Sequence, residues 1–195
     1  SKGLLLTAPD YTKCYMDAPG ERFTTPRIVF DRIMKDTAIK WGTHFQDACF
    51  VNGVVYEDGR VVGVSAWRGN TGVEYRARMV IGADGAYSMI AQALGMFPDD
   101  PFNVGLAMTA YFEELELEGY NEVHFDRHVL PCYVWIFPTG DRPGLANVGL
   151  GLRADLFKGT DLTKYFHQFL ETSPYGLGLK RARQVSAWRY ARIPS

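Results

Sequence analysis

The stretch Met79-Val80-Ile81-Gly82-Ala83-Asp84-Gly85-Ala86-Tyr87-Ser88 decides how this chain is read. An apolar run ends in small residues, an aspartate follows, and a glycine admits a tight turn. Tyr87 to Leu94 then has helical character, closed by Gly95. The pattern predicts a strand over Val73 to Ala83 with Asp84 at its carboxyl tip. Such a junction offers a carboxylate to a ribose hydroxyl, backbone room for a pyrophosphate at Gly85, and the positive end of a helix. The same residues also fit a plain junction in which the aspartate caps the helix and the glycine makes the turn.

Upstream, Leu4 to Thr7 and Lys13 to Asp17 read as short strands, with Pro19-Gly20 as a turn. A helix opens at Pro26-Arg27: Phe30, Ile33, Met34, Thr37, Ala38 and Trp41 recur at helical spacing, and Gly42 stops it. Three strands are expected next, His44 to Asn52, Val54 to Glu57 and Val61 to Trp67. Asp58-Gly59 between the last two is a hairpin signal. Downstream, the proline-rich Phe97-Pro98-Asp99-Asp100-Pro101 reads as a boundary. Strands at 103–113, 121–127, 132–138 and 145–152 then follow without intervening helices, as in an antiparallel sheet. A helix from Leu162 to Thr172 carries Tyr165, Phe166 and Phe169 on one face, and a last strand runs from Gln184 to Tyr190.

Composition narrows the class. The 195 residues are 47% hydrophobic and 22% charged with a formal net charge of −1, which fits a globular chain with a buried core and no nucleic-acid footprint. Cys14, Cys49 and Cys132 are too few and too scattered for a disulfide framework or a zinc site, so a reducing compartment is expected. No apolar run approaches the roughly 20 residues that span a bilayer. Ser1 to Thr7 reads as a strand entered abruptly rather than as a signal peptide.

A second pattern is Tyr133-Val134-Trp135-Ile136-Phe137-Pro138, with Val148-Gly149-Leu150-Gly151 after it. Alternation puts Tyr133, Trp135 and Phe137 on one face of a strand. Three rings there fit either a core stripe or a wall for a flat or polyprenyl ligand. His124, Asp126 and His128 lack a companion ligand and read as surface or lining groups, so no metal is expected. Cys132 reads as a small buried hydrophobe, and Lys180, Arg181, Arg183, Arg189 and Arg192 as a solvated edge.

The order Arg27-x-x-Phe30-Asp31, helix, Asp58-Gly59-Arg60-Val61-Val62-Gly63-Val64, Arg76-Ala77 and the apolar strand resembles the middle of flavoproteins with the p-hydroxybenzoate-hydroxylase-type fold. Tyr-x-Trp-x-Phe-Pro with a later Val-Gly-x-Gly is similar to the pattern of the geranylgeranyl reductase family. The resemblance covers nearly the whole chain. It implies FAD, with Arg27, Asp84, Gly85 and Ala86 beside the cofactor's ribose and pyrophosphate. Tyr133, Trp135, Phe137, Pro138, Gly149 and Gly151 would line the cavity where carbon–carbon double bonds of a geranylgeranyl or other polyprenyl group are reduced. It names no catalytic residue, and leaves NADPH or a ferredoxin-type protein as the electron donor.

The fold expected on this basis is α/β (α+β). A partial FAD-binding Rossmann-like domain takes residues 27–95, and residues 1–26 and 96–195 form a substrate domain on an antiparallel or mixed sheet. The chain holds no Gly-x-Gly-x-x-Gly and no later Gly-Asp segment of the family's kind, so it is expected to be an internal fragment, inactive alone. The expected partner is a polyprenyl lipid, and the expected location cytoplasmic with peripheral contact to a membrane. Two other functions compete. One is a class A flavin monooxygenase or halogenase; halogenases carry a related aromatic-x-Trp-x-Ile-Pro motif, from which Tyr133 and Phe137 depart. The other is a cofactor-free β-rich module for an apolar ligand.

Overall fold

The computed structural model describes residues 1–20, 24–96, 104–140, 142–157 and 161–194. The proline-rich segment 97–101 lies outside them. In chain order the strands are β1 (Gly3–Thr7), β2 (Lys13–Asp17), β3 (Cys49–Glu57), β4 (Arg60–Arg68), β5 (Thr71–Arg76), β6 (Val104–Glu113), β7 (Asn121–His124), β8 (Tyr133–Pro138), β9 (Ala146–Arg153), β10 (Arg183–Gln184) and β11 (Arg189–Pro194). The α-helices are α1 (Arg27–Lys40), α2 (Met89–Ala93), α3 (Thr163–Thr172) and α4 (Pro174–Leu179). They divide into two compact units, Ser1–Phe30 with Asp100–Ser195, and Asp31–Asp99.

The first unit is built on an eight-stranded mixed sheet in the order β10-β6-β9-β8-β7-β1-β2, with β11 also paired to β6. β1 runs parallel to β7 and the other pairings are antiparallel. Alternation along β8 sends Val134 and Ile136 into the core, where they meet Val148 and Leu150 from β9 and Met108, Ala110 and Phe112 from β6. Phe166 and Phe169 of α3 and Leu179 of α4 cover this face. Each large side chain buried there contributes about 1.5–3 kcal/mol. α4 escapes the sequence patterns because its Pro-Tyr-Gly-Leu-Gly-Leu composition is poor in helix formers. Its glycine has a packing reason, since a Cβ at Gly176 would stand 2.0 Å from the Phe169 carbonyl oxygen.

The expected final strand breaks in two. Trp188 turns into the core, 4.8 Å edge-on to Phe166, which interrupts pairing between β10 and β11. Ser186 Oγ accepts the Tyr111 N–H at 2.8 Å across the gap.

The second unit carries the antiparallel sheet β3-β4-β5. The two strands expected at 44–57 are one, because a bulge between Val51 and Gly53 absorbs the irregularity without ending the ladder. Asp58 (φ 48°) and Gly59 (φ 74°) make the expected hairpin turn. The strand expected over Val73 to Ala83 ends at Arg76. Beyond the Ala77 N–H bond to Val62, residues 78–84 have no ladder partner among the described residues, and Met79 and Ile81 stand exposed. Gly82 instead packs on α2, where a Cβ would come 2.8 Å from that of Ile90. α1 forms where the helical spacing predicts it, with none of its residues buried.

Candidate functional site

The face of β8 opposite the core carries Tyr133, Trp135 and Phe137, all half-buried. Ring centroids are 6.0 Å apart for Tyr133 and Trp135 and 6.2 Å for Trp135 and Phe137, with tilts of 41° and 33°. Phe125 extends the row, 6.1 Å from Tyr133. The register explains the glycines: Tyr133 pairs with Gly151 and Trp135 with Gly149 across β8 and β9. A Cβ on Gly149 would fall 2.1 Å from Trp135 Cζ2, and one on Gly151 would fall 3.1 Å from the Tyr133 hydroxyl. The rings lie over the next strand because that strand has no side chains there. Tyr133, Trp135, Phe137, Gly149 and Gly151 thus form one surface; Pro138, expected with them, ends β8 opposite buried Ala146, in the alternation of the core-facing Val134 and Ile136.

Two polar residues that the sequence patterns leave unmarked belong to this surface. Trp135 Nε1 donates to Asn147 Oδ1 at 2.9 Å, and the Thr109 hydroxyl lies 2.9 Å from the same oxygen. Beside them is a cavity of about 470 Å³ lined by Phe137, Thr139, Asn147, Arg189, Thr24 and Arg27, among others. Arg27 therefore opens α1 at the end of the aromatic row. The cavity's walls are mostly apolar, with Arg27 and Arg189 among the residues that line them, a setting for an apolar chain or ring system that carries an anionic group.

Asp84 is described within its own unit. Gly85 to Tyr87 form one 3-10 turn, and Gly85 takes a φ of 79° that favours glycine, with open space where a Cβ would stand. Asp84 Oδ1 accepts the Ser88 hydroxyl at 2.5 Å, and Oδ2 accepts the N–H groups of Met89 at 2.6 Å and Ile90 at 3.3 Å. Ser88 Oγ accepts the Ala91 N–H at 2.9 Å. The N–H groups at the start of α2, expected to face a phosphate, are thus satisfied within the chain, because the interposed 3-10 turn carries Asp84 over the helix end. The Ser88 hydroxyl, ahead of the helix amides, holds the Asp84 carboxyl below the usual carboxylate range. A carboxylate offers about four acceptor directions, so exposed Asp84 keeps room for a hydroxyl donor. That capacity and the open space at Gly85, with Ala86 next to it, fit a ribose and backbone-contacting phosphates.

The remaining expected groups resolve plainly. His124 and Asp126, expected at the surface or in a lining, are buried. They sit on the core side, where His124 bonds Thr7 and Glu122 at 3.1 Å each and stacks on Tyr175 at 4.2 Å. No group of three or more His, Cys, Asp or Glu able to hold a metal occurs among the described residues. Cys132 is buried in the core, and burial pushes its thiol up to about 12. Arg183 pairs with Glu113 and, at 3.4 Å, with Glu114 on the solvated edge.

Comparison with known proteins places this geometry. A family model of an FAD binding domain matches residues 14–125, and one of the geranylgeranyl reductase catalytic domain matches residues 103–187. Digeranylgeranylglycerophospholipid reductase 2 of Methanopyrus kandleri is 35% identical over 161 residues, covering 80% of this chain and 39% of that protein. A digeranylgeranylglycerophospholipid reductase of Methanocella arvoryzae is 31% identical over 157 residues, covering 76% and 38%. The crystal structure of a geranylgeranyl bacteriochlorophyll reductase-like protein of Thermoplasma acidophilum superposes with a TM-score of 0.85 at 24% identity, over 99% of this chain and 49% of that one. The flavin-dependent brominase Bmp2 shares the fold with a TM-score of 0.80 at 15% identity, over 98% of this chain and 50% of that one. The chain spans about two fifths of the length of the curated relatives it matches. Fold and matches define the class, an FAD-binding flavoprotein of the p-hydroxybenzoate-hydroxylase type, and set aside a cofactor-free module. Within that class, the chain belongs to the geranylgeranyl reductase family.

Proposed function

We propose that the protein of which this chain is a part reduces carbon–carbon double bonds in a polyprenyl group, with FAD as its resident cofactor. The observation that carries the reading is the aromatic row laid over Gly149 and Gly151 beside the cavity bounded by Phe137 and Arg27. When bound, FAD supplies the hydride that adds with a proton across the double bond. The chain's own part is to bind, orient and exclude water. Tyr133, Trp135 and Phe137 give an isoprenoid chain a continuous apolar wall by burial and dispersion. Asp84 and Gly85, with Ala86, serve the cofactor's ribose and pyrophosphate, and Arg27, in the other unit, is the guanidinium offered to its charged part. In this division residues 27–95 serve the cofactor, and residues 1–26 and 96–195 the substrate.

The relatives are named for a phospholipid carrying geranylgeranyl chains, so a lipid of that kind is the proposed substrate. Electrons come from NADPH or a ferredoxin-type donor. No helix among the described residues is long and apolar enough to cross a membrane; the proposed encounter with the lipid is peripheral contact.

The test is Trp135→Ala in the flavin-loaded protein. Turnover of the polyprenyl lipid should fall roughly 10–100-fold through misplacement of the chain, while the absorbance of bound flavin stays unchanged. Loss of flavin instead would contradict the division of roles. Oxygen consumption coupled to hydroxylation or halogenation would move the protein to the monooxygenase and halogenase branch of the fold.

A further inference from the structure

We propose that Asn147 is a positioning residue that sets the plane of Trp135 and so shapes the floor on which the polyprenyl chain lies; this rests on reading the aromatic row as the substrate wall. The indole N–H is a donor with no acceptor capacity, so its partner must present an oxygen. Asn147 Oδ1 lies 2.9 Å from Trp135 Nε1 and 2.9 Å from the Thr109 hydroxyl. The indole N–H can only donate, so the amide must turn its oxygen and not its nitrogen to the ring, which leaves it a single orientation. The Thr109 hydroxyl, with one proton to give, lies within reach of that oxygen and, at 3.0 Å, of the Val148 carbonyl oxygen.

Packing leaves this task to the hydrogen bond. The residue beneath the indole is Gly149, so no side chain there steers the ring. The flanking rings of Tyr133 and Phe137, 6.0 and 6.2 Å away between centroids, are tilted against it and not stacked on it. Among the described residues the indole N–H of Trp135 bonds Asn147, which together with Phe137 also lines the cavity. A turn of the indole about its bond to the backbone would push its six-membered ring into the space above the sheet. Asn147 thus couples the cavity to the shape of the wall, without touching the reacting atoms.

The experiment compares Asn147→Leu, which removes the acceptor, with Asn147→Asp, which keeps one, in flavin-loaded protein. Two readouts are taken: the indole N–H resonance of Trp135, assigned by its loss in Trp135→Phe, and turnover of vesicles of digeranylgeranylglycerophospholipid. In Asn147→Leu the resonance should move and its exchange with water rise about tenfold, as for loss of one hydrogen bond. The kcat/KM should fall about tenfold with bound flavin unchanged. Asn147→Asp should restore both.

An unmoved resonance in Asn147→Leu, or an Asn147→Asp as impaired as the leucine variant, overturns the proposal. If wild-type protein does not turn the lipid over, the functional reading fails, while the resonance still decides the role of Asn147. Should Asn147→Leu not fold, Asn147→Ala takes its place with the same expected displacement and the same refutation.

Discussion

Gly149→Ala gives the sharpest test of why the aromatic surface exists. The added methyl would stand 2.1 Å from Trp135 Cζ2, 2.4 Å from Cε2 and 2.5 Å from the Met108 carbonyl oxygen. Ordinary contact needs about 3.5–4.0 Å, so both neighbours must move by more than an ångström. The ring can retreat only by giving up the Asn147 bond, and the carbonyl belongs to β6, locked in pairing with β9. Overpacking of this kind costs about 1–3 kcal/mol. The lost hydrogen bond adds about 1 kcal/mol. Against these stands a gain of about 0.4–1 kcal/mol because alanine restricts the unfolded chain. The net loss is about 1–4 kcal/mol.

Gly151→Ala is the internal control. Its methyl would meet the Tyr133 hydroxyl at 3.1 Å and Cζ at 3.2 Å, the far end of a side chain that can swing aside. Its net effect should lie within about 1 kcal/mol of zero. Thermal unfolding of the two flavin-loaded variants, read by tryptophan fluorescence, separates them. Gly149→Ala should melt several degrees below wild type, at about 2–4 °C per kcal/mol for a chain of this size, and Gly151→Ala close to it. A Gly149→Ala protein as stable as wild type, or a Gly151→Ala protein that melts first, would refute the account of ring over strand.

Two further outcomes follow from titrating groups. Burial holds the Cys132 thiol up at about 12, so at pH 8 a thiol reagent should label exposed Cys14 and reach Cys132 only on unfolding; equal labelling rates in the native protein would contradict its place in the core. Asp84 is held below the usual carboxylate range, first by the Ser88 hydroxyl and then by the amides of α2, so its stabilisation is present above the unfolded value near 3.9 and is lost as pH falls through the lower folded one. By its bonds to the helix amides alone, Asp84→Ala should cost about 0.5–2 kcal/mol of local stability at pH 7, read as faster hydrogen exchange at Met89 and Ile90, and less as acid protonates the wild-type carboxylate. Exchange at those amides that ignores both the mutation and pH would show that Asp84 does not cap the helix.

Local periodicity carried much of this structure in the sequence. Alternation at 133–138, helical spacing at 27–41 and the Asp58-Gly59 turn each report a preference that neighbours reinforce, and each element stands where its pattern places it. The failures have a common cause, which is dependence on contacts far along the chain. The apolar run 77–83 has the composition of a strand and no ladder partner among the described residues, so composition alone does not make it one. Trp188 obeys strand alternation on paper, yet the space beside Phe166 and Phe112 draws it out of the sheet. α4 is hidden by its two glycines, and the purpose of one, Gly176, is visible only against α3.

At the site, the aromatic and glycine residues were legible as two separate motifs. Asn147 and Thr109 were not, since an asparagine and a threonine in strands carry no signal until the register shows what lies opposite them. That register also explains how one sheet serves two purposes. Every β8 side chain on one face contributes to stability beneath α3 and α4, so that face tolerates little change of volume. The opposite face is relieved of that duty. Its large rings rest on glycines instead of interlocking with neighbours, which leaves a broad apolar surface only half-covered. A surface built that way would be a poor core and is a serviceable wall for a long, flexible hydrocarbon. The cost is that ring orientation is no longer set by packing, and a polar contact at the ring's edge has to supply it.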